Sequence, residues 1–407
     1  MSPFPGWGPN DRSGLTPLDG GVTAVPGFRA AGTATGIKAS GKPDLGLLVA
    51  DQPAGVAILT TTNQVKAPAC TLSERHAADG RAQAVVINSG NANVCTPDGE
   101  VHAARIAEGA AAATGVAPTD VLVMSTGIIG VPLPIEHIEA ALPGLAGALA
   151  PDGGPAAAEA MLTTDSHAKQ VAFRVEDEQG SCTLAGMAKG VGMIEPTMAT
   201  LLVVLTTDAL VHPRVLESLL RRATDTTFNR VSVDGDRSTS DTIAILANGA
   251  APTPPGPETL GRAIQAVCAD LAHQVVADGE GATRVAAVTV RGAASEDDAA
   301  QLARAVATSL LVRAAIHGAD PNWGRILMAL GNAGVALDPR RVSVTCGGVT
   351  VCRFGVAASF DRGQASNAMS RPEVEIGIDV GGGRSSATVL TCDLTPEYVR
   401  FNSQYTT

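Results

Sequence analysis

Residues 189–205 read Lys-Gly-Val-Gly-Met-Ile-Glu-Pro-Thr-Met-Ala-Thr-Leu-Leu-Val-Val-Leu. Glycine and proline punctuate the first half, and the second half runs into the unbroken apolar segment Leu201–Leu205. A short continuous apolar run of this kind is the pattern of a strand covered on both faces, so the fold must supply layers on either side of it. A small residue, Ala199, stands before a hydroxyl residue, Thr200, where that strand begins. The order suits a chain that cuts itself at Ala199-Thr200 and exposes a new N-terminal threonine. Such a threonine carries its own base, because the freed α-amine titrates near pH ~8 and lies close to the hydroxyl. Threonine also opens many ordinary β-strands, and the residues alone leave both readings open.

Working outward, Ala82–Asn88 reads as a strand, residues 88–93 (Asn-Ser-Gly-Asn-Ala-Asn) as a loop and Val101–Thr114 as an alanine-rich helix. The order repeats with a strand at Asp120–Met124, a loop at Ser125–Gly130 and a helix at Pro134–Leu142, stopped by Pro143 and Gly144. Further strands are expected at Val171–Val175, Arg230–Val233, Thr242–Ala247, Val285–Arg291, Val342–Cys346, Val349–Arg353, Val374–Asp379 and Ala387–Cys392. Helices are expected at Pro213–Ala223, Pro257–Val276 and Asp297–Ala315. Helices and strands interleave in both halves, so the class is α/β or α+β, with sheets sandwiched by helices. The first 20 residues, rich in Pro, Gly, Asp and Ser, read as a flexible arm. The best internal boundary is Thr200, which divides residues 21–199 from residues 200–407.

The 407 residues exceed the ~250–300 that one core usually serves, so two lobes are expected. Hydrophobic residues make up 45% and aromatics 3%, which implies a core of Ala, Val, Leu and Ile. A net charge of -11 lacks the basic footprint of a nucleic-acid binder. The N-terminus resembles no signal peptide, and no run approaches the ~20 apolar residues of a spanning helix, so no membrane role and a cytoplasmic location are expected. Seven scattered cysteines without a Cys-x-x-Cys pair suit reduced thiols, and the seven histidines lack metal-ligand spacing, so no metal is expected. Of 29 basic residues only Lys38, Lys42, Lys66, Lys169 and Lys189 are lysines, and all precede Thr200. In so arginine-rich a chain a lysine marks a place where a compact ammonium fits better than a planar fork. Lys189, beside the expected cut, is read as meeting a carboxylate.

Several short segments carry chemistry-bearing residues. Met-Ser-Thr-Gly-Ile-Ile-Gly (124–130) follows a strand and is small enough for backbone N–H groups to approach a ligand. Met-Leu-Thr-Thr-Asp (161–165) closes an alanine-rich helix, and Thr164 and Asp165 suit capping. Asp-Gly-Glu-Gly (278–281) sets one carboxylate between glycines. Asp-Gly-Asp-Arg-Ser-Thr-Ser-Asp-Thr (234–242) lacks the terminal acid of a calcium loop and reads as a structured loop. His-Gly-Ala-Asp-Pro-Asn-Trp-Gly-Arg (317–325) holds one of two tryptophans among turn residues.

Together with Gly-Ile-Lys-Ala-Ser-Gly (36–41) and Asn-Gln-Val-Lys-Ala (63–67), these motifs, in this order from about Gly21 to Thr407, resemble the ornithine acetyltransferase family, also called glutamate N-acetyltransferases. That resemblance implies an N-terminal-nucleophile-like enzyme of two stacked β-layers between helical layers, matured by cleavage at Ala199-Thr200 into α and β chains that assemble as an α2β2 heterotetramer. It makes Thr200 the nucleophile that takes the acetyl group of N-acetyl-L-ornithine and passes it to L-glutamate in the cyclic arginine pathway. It assigns the oxyanion hole to the Thr126 hydroxyl and the Gly127 N–H. Substrate contacts fall on Thr163, Glu280, Asn402 and Thr407, with Glu280 meeting the basic end of the amino acid. No cofactor is implied, and acetyl-CoA remains open as a second donor, because the family holds members of both kinds. Arg313 and Ala314 stand where the family usually has a lysine-threonine pair, which puts any contact made through those side chains in doubt. An autoprocessed amidohydrolase or aminopeptidase would share the nucleophile but deliver the acyl group to water. A metabolite-binding protein without activity would need no cut.

Overall fold

The computed structural model describes residues 4–195 and 201–404. The chain divides into two compact units. One gathers Asp11–Phe228 and Asp236–Leu271, and the other gathers Met1–Asn10, Asn229–Gly235 and Ala272–Thr406. Each has its own sheet, and both mix strands with helices, as the class read from the sequence requires.

The strands are β1 (Leu15–Pro17), β2 (Phe28–Thr33), β3 (Leu45–Thr60), β4 (Arg81–Asn91), β5 (Val121–Ile128), β6 (Lys169–Glu176), β7 (Ser181–Lys189), β8 (Leu202–Thr207), β9 (Val231–Ser232) and β10 (Thr242–Ala247). All but β9 form a nine-stranded sheet in the order β1-β6-β7-β8-β10-β3-β4-β5, with β2 also paired to β3. The apolar run after Thr200 becomes β8, whose six residues are all buried between antiparallel β7 and parallel β10. Alternation along β3 and β4 sends Leu47, Val49, Ala84 and Val86 to one face, against Ile106, Ala110, Ile138 and Leu142 of two helices. It sends Leu48, Ala50, Val85 and Ile87 to the other face, against Val22, Ala157, Ala158 and Met161. Side chains that alternate with period two have filled a core on each side of one sheet.

In the other unit β11 (Val285–Ala293), β12 (Ser343–Cys346), β13 (Val349–Arg353), β14 (Val356–Ala357), β15 (Glu373–Asp379) and β16 (Ser385–Cys392) join β9 in the order β14-β13-β12-β15-β11-β16-β9. Leu302, Val306, Ile316 and Leu330 from three helices close over Val288, Ile376 and Val389 of this sheet.

Four expectations change. Residues 15–17, read as part of a flexible arm, pair with β6, and Phe4 and Trp7 are buried. The helix expected to stop before Pro143 runs from Ile135 to Gly147, because Leu145 beyond the proline is buried in the same core as Leu142. The single helix expected over Asp297–Ala315 is two, Glu296–Ala307 and Leu310–His317, bent by 62°. Ser309 makes the break by accepting the Val312 N–H as the N-cap of the second. Finally, Ser125–Ile128, read as loop, continues strand β5. Among the described residues no single helix is long and apolar enough to cross a membrane.

Candidate functional site

The end of β5 is where the fold departs most from a regular ladder. Parallel β4 and β5 pair Asn88 with Ser125, Ser89 with Thr126 and Gly90 with Gly127, and the register then slips at Asn91. Asn88 holds both sides of that slip: its Oδ1 accepts the Ser125 hydroxyl at 2.6 Å, and its Nδ2 donates to the Asn91 carbonyl at 2.8 Å. Asn91 in turn accepts the Asn93 N–H at 2.8 Å and donates to the Val131 carbonyl at 3.0 Å. The polar hexapeptide 88–93 is therefore a scaffold for its neighbour. Gly127 has a φ of +131°, and a β-carbon there would lie 2.3 Å from the Gly90 carbonyl carbon, so only glycine fits. Thr126 beside it is 1% exposed.

Lys189, the last residue of β7, is 2% exposed and donates from Nζ to Thr126 Oγ1 at 3.3 Å. The carboxylate that answers this buried charge is Asp165. Its Oδ1 accepts the Lys169 ammonium at 2.7 Å and the Gly190 N–H at 2.8 Å, and its Oδ2 accepts the Thr163 N–H at 3.0 Å. The side chains of Lys169 and Asp165 are fully buried. Burial alone would raise the Asp165 pKa, but the Lys189 and Lys169 charges and the donated hydrogen bonds outweigh it and hold the group at about 2. Asp165, read as a capping residue, is thus the knot that ties the Thr163 loop to the end of β7. Thr163 itself is half-buried.

Two further groups, to which the sequence assigned no role, join this corner. The Lys38 backbone N–H and both Thr35 donors bind buried Asp44, while Lys38 Nζ donates to the Pro43 carbonyl at 2.5 Å. Burial pulls the Lys38 ammonium down to about 8, Asp44 opposes the change, and Lys189 adds to it. Asp241, at the start of β10, is wholly buried and accepts the Leu201 N–H on Oδ1 at 2.9 Å. Its carboxyl is pushed up to about 8 by burial, against the Leu201 N–H, the Ser238 hydroxyl and the Lys189 charge. The acid in the stretch read as a structured loop therefore grips the residue that follows Thr200. Ala199, Thr200 and Thr407 lie outside the described residues.

In the other unit Glu280 is half-buried in the turn after the helix Pro257–Ala277, and its Oε2 accepts the Asn402 Nδ2 at 2.9 Å. The structure brings together this expected pair, which stand 122 residues apart. The turn is held from below. Thr395 donates to the Gly281 carbonyl at 2.8 Å, and buried Asp393 accepts the Thr283 N–H and hydroxyl, the Arg284 N–H and the His317 ring. Arg313, which departs from the resembled pattern, is buried and donates to the Cys392 carbonyl at 2.9 Å, so it bolts the end of β16, while Ala314 is exposed. In the Asp-Pro-Asn-Trp-Gly-Arg motif, Asn322 caps the helix Trp323–Gly331 and Trp323 packs on the core, as a rigid structural loop would. Among the described residues no three His, Cys, Asp or Glu side chains are grouped to hold a metal ion.

Residues 29–407 match the ArgJ family model. The arginine biosynthesis bifunctional protein ArgJ of Symbiobacterium thermophilum is 46% identical over 399 residues, covering 96% of this chain and 99% of that protein. The protein of the same name from Thermus thermophilus is 45% identical over 383 residues, covering 94% of this chain and 98% of that protein. Among solved structures, the Bacillus halodurans ArgJ is 34% identical, covering 50% of this chain and 98% of its own with a TM-score of 0.48. The ornithine complex of ornithine acetyltransferase from Mycobacterium tuberculosis is 40% identical, covering 46% of this chain and 99% of its own with a TM-score of 0.42.

Proposed function

Because the chain belongs to the ArgJ family, we propose that it is the acetyltransferase that moves the acetyl group of N-acetyl-L-ornithine to L-glutamate through an acetyl-Thr200 enzyme. The observation that carries this reading is the buried Thr126 hydroxyl beside Gly127, a residue held at positive φ on a hydrogen-bonded strand end. Acyl transfer needs fixed donors where negative charge develops on the acyl oxygen, and a hydroxyl and a backbone N–H on one rigid element supply them.

In maturation the Thr200 hydroxyl attacks the Ala199 carbonyl. The C–N bond breaks, the hydroxyl proton ends on the freed amine, and water splits the ester. In turnover that amine takes the hydroxyl proton as Thr200 attacks the acetyl carbonyl, and ornithine leaves with a proton on its amine. The neutral amine of glutamate then attacks the acetyl ester and restores the hydroxyl. Thr126 and Gly127 stabilise the oxyanion in both acetyl-transfer steps. Thr163 and Thr407 contact substrate, Lys189 supplies positive charge, and Glu280 with Asn402 meets the side-chain ammonium of ornithine. The two chains, 1–199 and 200–407, act together in the cytoplasm as an α2β2 assembly. Acetyl-CoA as a second donor is tested by replacing acetylornithine with it in the transfer assay to glutamate.

Purified protein should separate into two fragments, the second beginning Thr-Leu-Leu-Val-Val, and should form N-acetylglutamate from acetylornithine and glutamate. Acetate release that ignores glutamate would instead mark a hydrolase, and one intact band of 41.0 kDa without transfer would remove the enzyme reading.

A further inference from the structure

No step of the proposed reaction uses the Gly-Ile-Lys-Ala-Ser-Gly stretch (36–41), yet the fold holds it against the Thr126–Gly127 strand end. Buried Asp44 folds the loop back on itself, taking the Thr35 N–H and hydroxyl on Oδ1 and the Lys38 N–H on Oδ2. The Asp44 carbonyl accepts the Ser89 N–H at 2.9 Å, which ties the loop to β4, and Ile37 packs on the same core as Leu47 and Val86. Lys38 lies across Gly90, where an added β-carbon would come within 3.0 Å of Lys38 Cγ. Gly90 is the β4 partner of Gly127, so the Lys38 stem runs one strand away from a proposed oxyanion donor. Lys38 is half-buried, whereas Lys169 and Lys189 are buried. Its Nζ donates to the Pro43 carbonyl at 2.5 Å, and among the described residues no carboxylate forms an ion pair with it. An ammonium has three N–H groups, so this one can hold a further acceptor while Pro43 fixes its position.

Acetyl donor and acceptor share an α-nitrogen and an α-carboxylate and differ at the far end, an ammonium in ornithine and a carboxylate in glutamate. A carboxylate such as Glu280 suits the first, and the second calls for a cation. We propose that Lys38 binds the side-chain carboxylate of the acyl acceptor and so sets the preference for an acidic one. A compact ammonium on a stem laid along the strand end can meet that carboxylate in a charge-assisted hydrogen bond while the α-amine faces the acyl carbon. The inference rests on the acetyl-transfer reading and adds to it a residue for the acceptor alone.

Acceptor specificity of the matured enzyme tests it. When acetyl passes through the enzyme, kcat/KM for glutamate reports the acceptor half of the reaction and kcat/KM for acetylornithine the donor half. Lys38→Met should lower kcat/KM for glutamate by about tenfold or more and change that for acetylornithine by less than about twofold. With glutamine, a neutral acceptor of the same shape, wild type and Lys38→Met should agree within about twofold, because the ionic contact is absent from both. Lys38→Arg keeps the charge and should recover part of the glutamate rate. Should Lys38→Met fail to mature, Lys38→Gln is read in the same way. An equal fall with glutamate and glutamine would make Lys38 a structural support, and an equal fall with acetylornithine would place it on a group that both substrates share. Either result, or an unchanged glutamate rate, would overturn the inference. If wild-type protein makes no N-acetylglutamate from acetylornithine, the acetyl-transfer reading fails, and the inference with it.

Discussion

The two corners that carry the expected site residues are built in opposite ways. The Thr126–Lys189 corner is walled by β4, β5 and β7, and its functional groups are nearly without solvent exposure. The Glu280–Asn402 corner is a turn and the helix Pro396–Gln404, which buries none of its residues. The difference matches the two tasks proposed for them. Donors to a developing oxyanion act only if they are already in place, because reorganising them costs part of what they contribute. A carboxylate that meets an ammonium can close around its ligand, so a half-buried turn and an exposed helix suffice. The polar hexapeptide 88–93 and the Asp165 knot serve rigidity in the first corner, whereas Asp393 and Thr395 only anchor the base of the second.

The sharpest way to break this account is Thr200→Ala, which should abolish both self-cleavage and acetyl transfer, while Thr200→Ser should keep some of each. Gel analysis and the transfer assay read the two outcomes, and transfer by an intact Thr200→Ala precursor would place the nucleophile elsewhere. Next in size is Lys169→Met. It strips one partner from a fully buried ion pair and should destabilise the fold by about 3 kcal/mol in denaturant unfolding. A loss below about 1 kcal/mol would mean that the Asp165 knot is not what holds this corner.

A smaller effect contrasts the corners in kinetics. Glu280→Gln should raise KM for acetylornithine by about tenfold with little change in kcat, the signature of a contact made equally in ground and transition states. A fall in kcat at unchanged KM would erase the distinction drawn here between binding and chemistry. The smallest effect is on stability against pH. Asp241 has its folded pKa raised to about 8 from an ordinary 3.8, so its contribution is fullest below pH ~4 and is lost as pH rises through about 8. Asp165 is held at about 2, so its contribution is present above pH ~4 and is lost as pH falls toward 2. Asp241→Asn keeps an acceptor for the Leu201 N–H and removes only the first dependence. Thermal melts from pH 5 to 9 should show the variant gaining on wild type as pH rises. Parallel curves would mean that Asp241 is already ionised in the folded protein.

Much of the architecture was legible because apolar runs and 3.6-residue periods are local. Strand β8 and the helices Gly99–Thr114 and Pro213–Asp225 follow directly from such patterns. Strand β3 does not, since the exposed Asp51-Gln52-Pro53 in its middle interrupts its apolar run. The bend at Ser309 was hidden because both flanking helices carry alanine among other apolar residues, and the serine marks the join. At the site, Lys189 meets Thr126, and Asp165 ties the Thr163 loop to Gly190 beside that lysine. The groups that hold them were silent for a physical reason. Asp165, Lys169 and Asp241 look like surface charges in a list of residues, and only their burial gives them their roles, Asp165 against Lys169 and Asp241 against the Leu201 N–H. The scarcity of lysine was the one available signal, and it led to Lys189 without revealing that Lys169 is equally buried.

The central claim is that acetyl passes through Thr200, and the most direct test is mass analysis of the matured enzyme quenched during incubation with acetylornithine alone. The account predicts the mass of one acetyl group on the N-terminal peptide of the fragment beginning Thr-Leu-Leu, and its loss on addition of glutamate as N-acetylglutamate appears. Acetyl on any other residue, or full transfer with no acetylated fragment at any time, would contradict it.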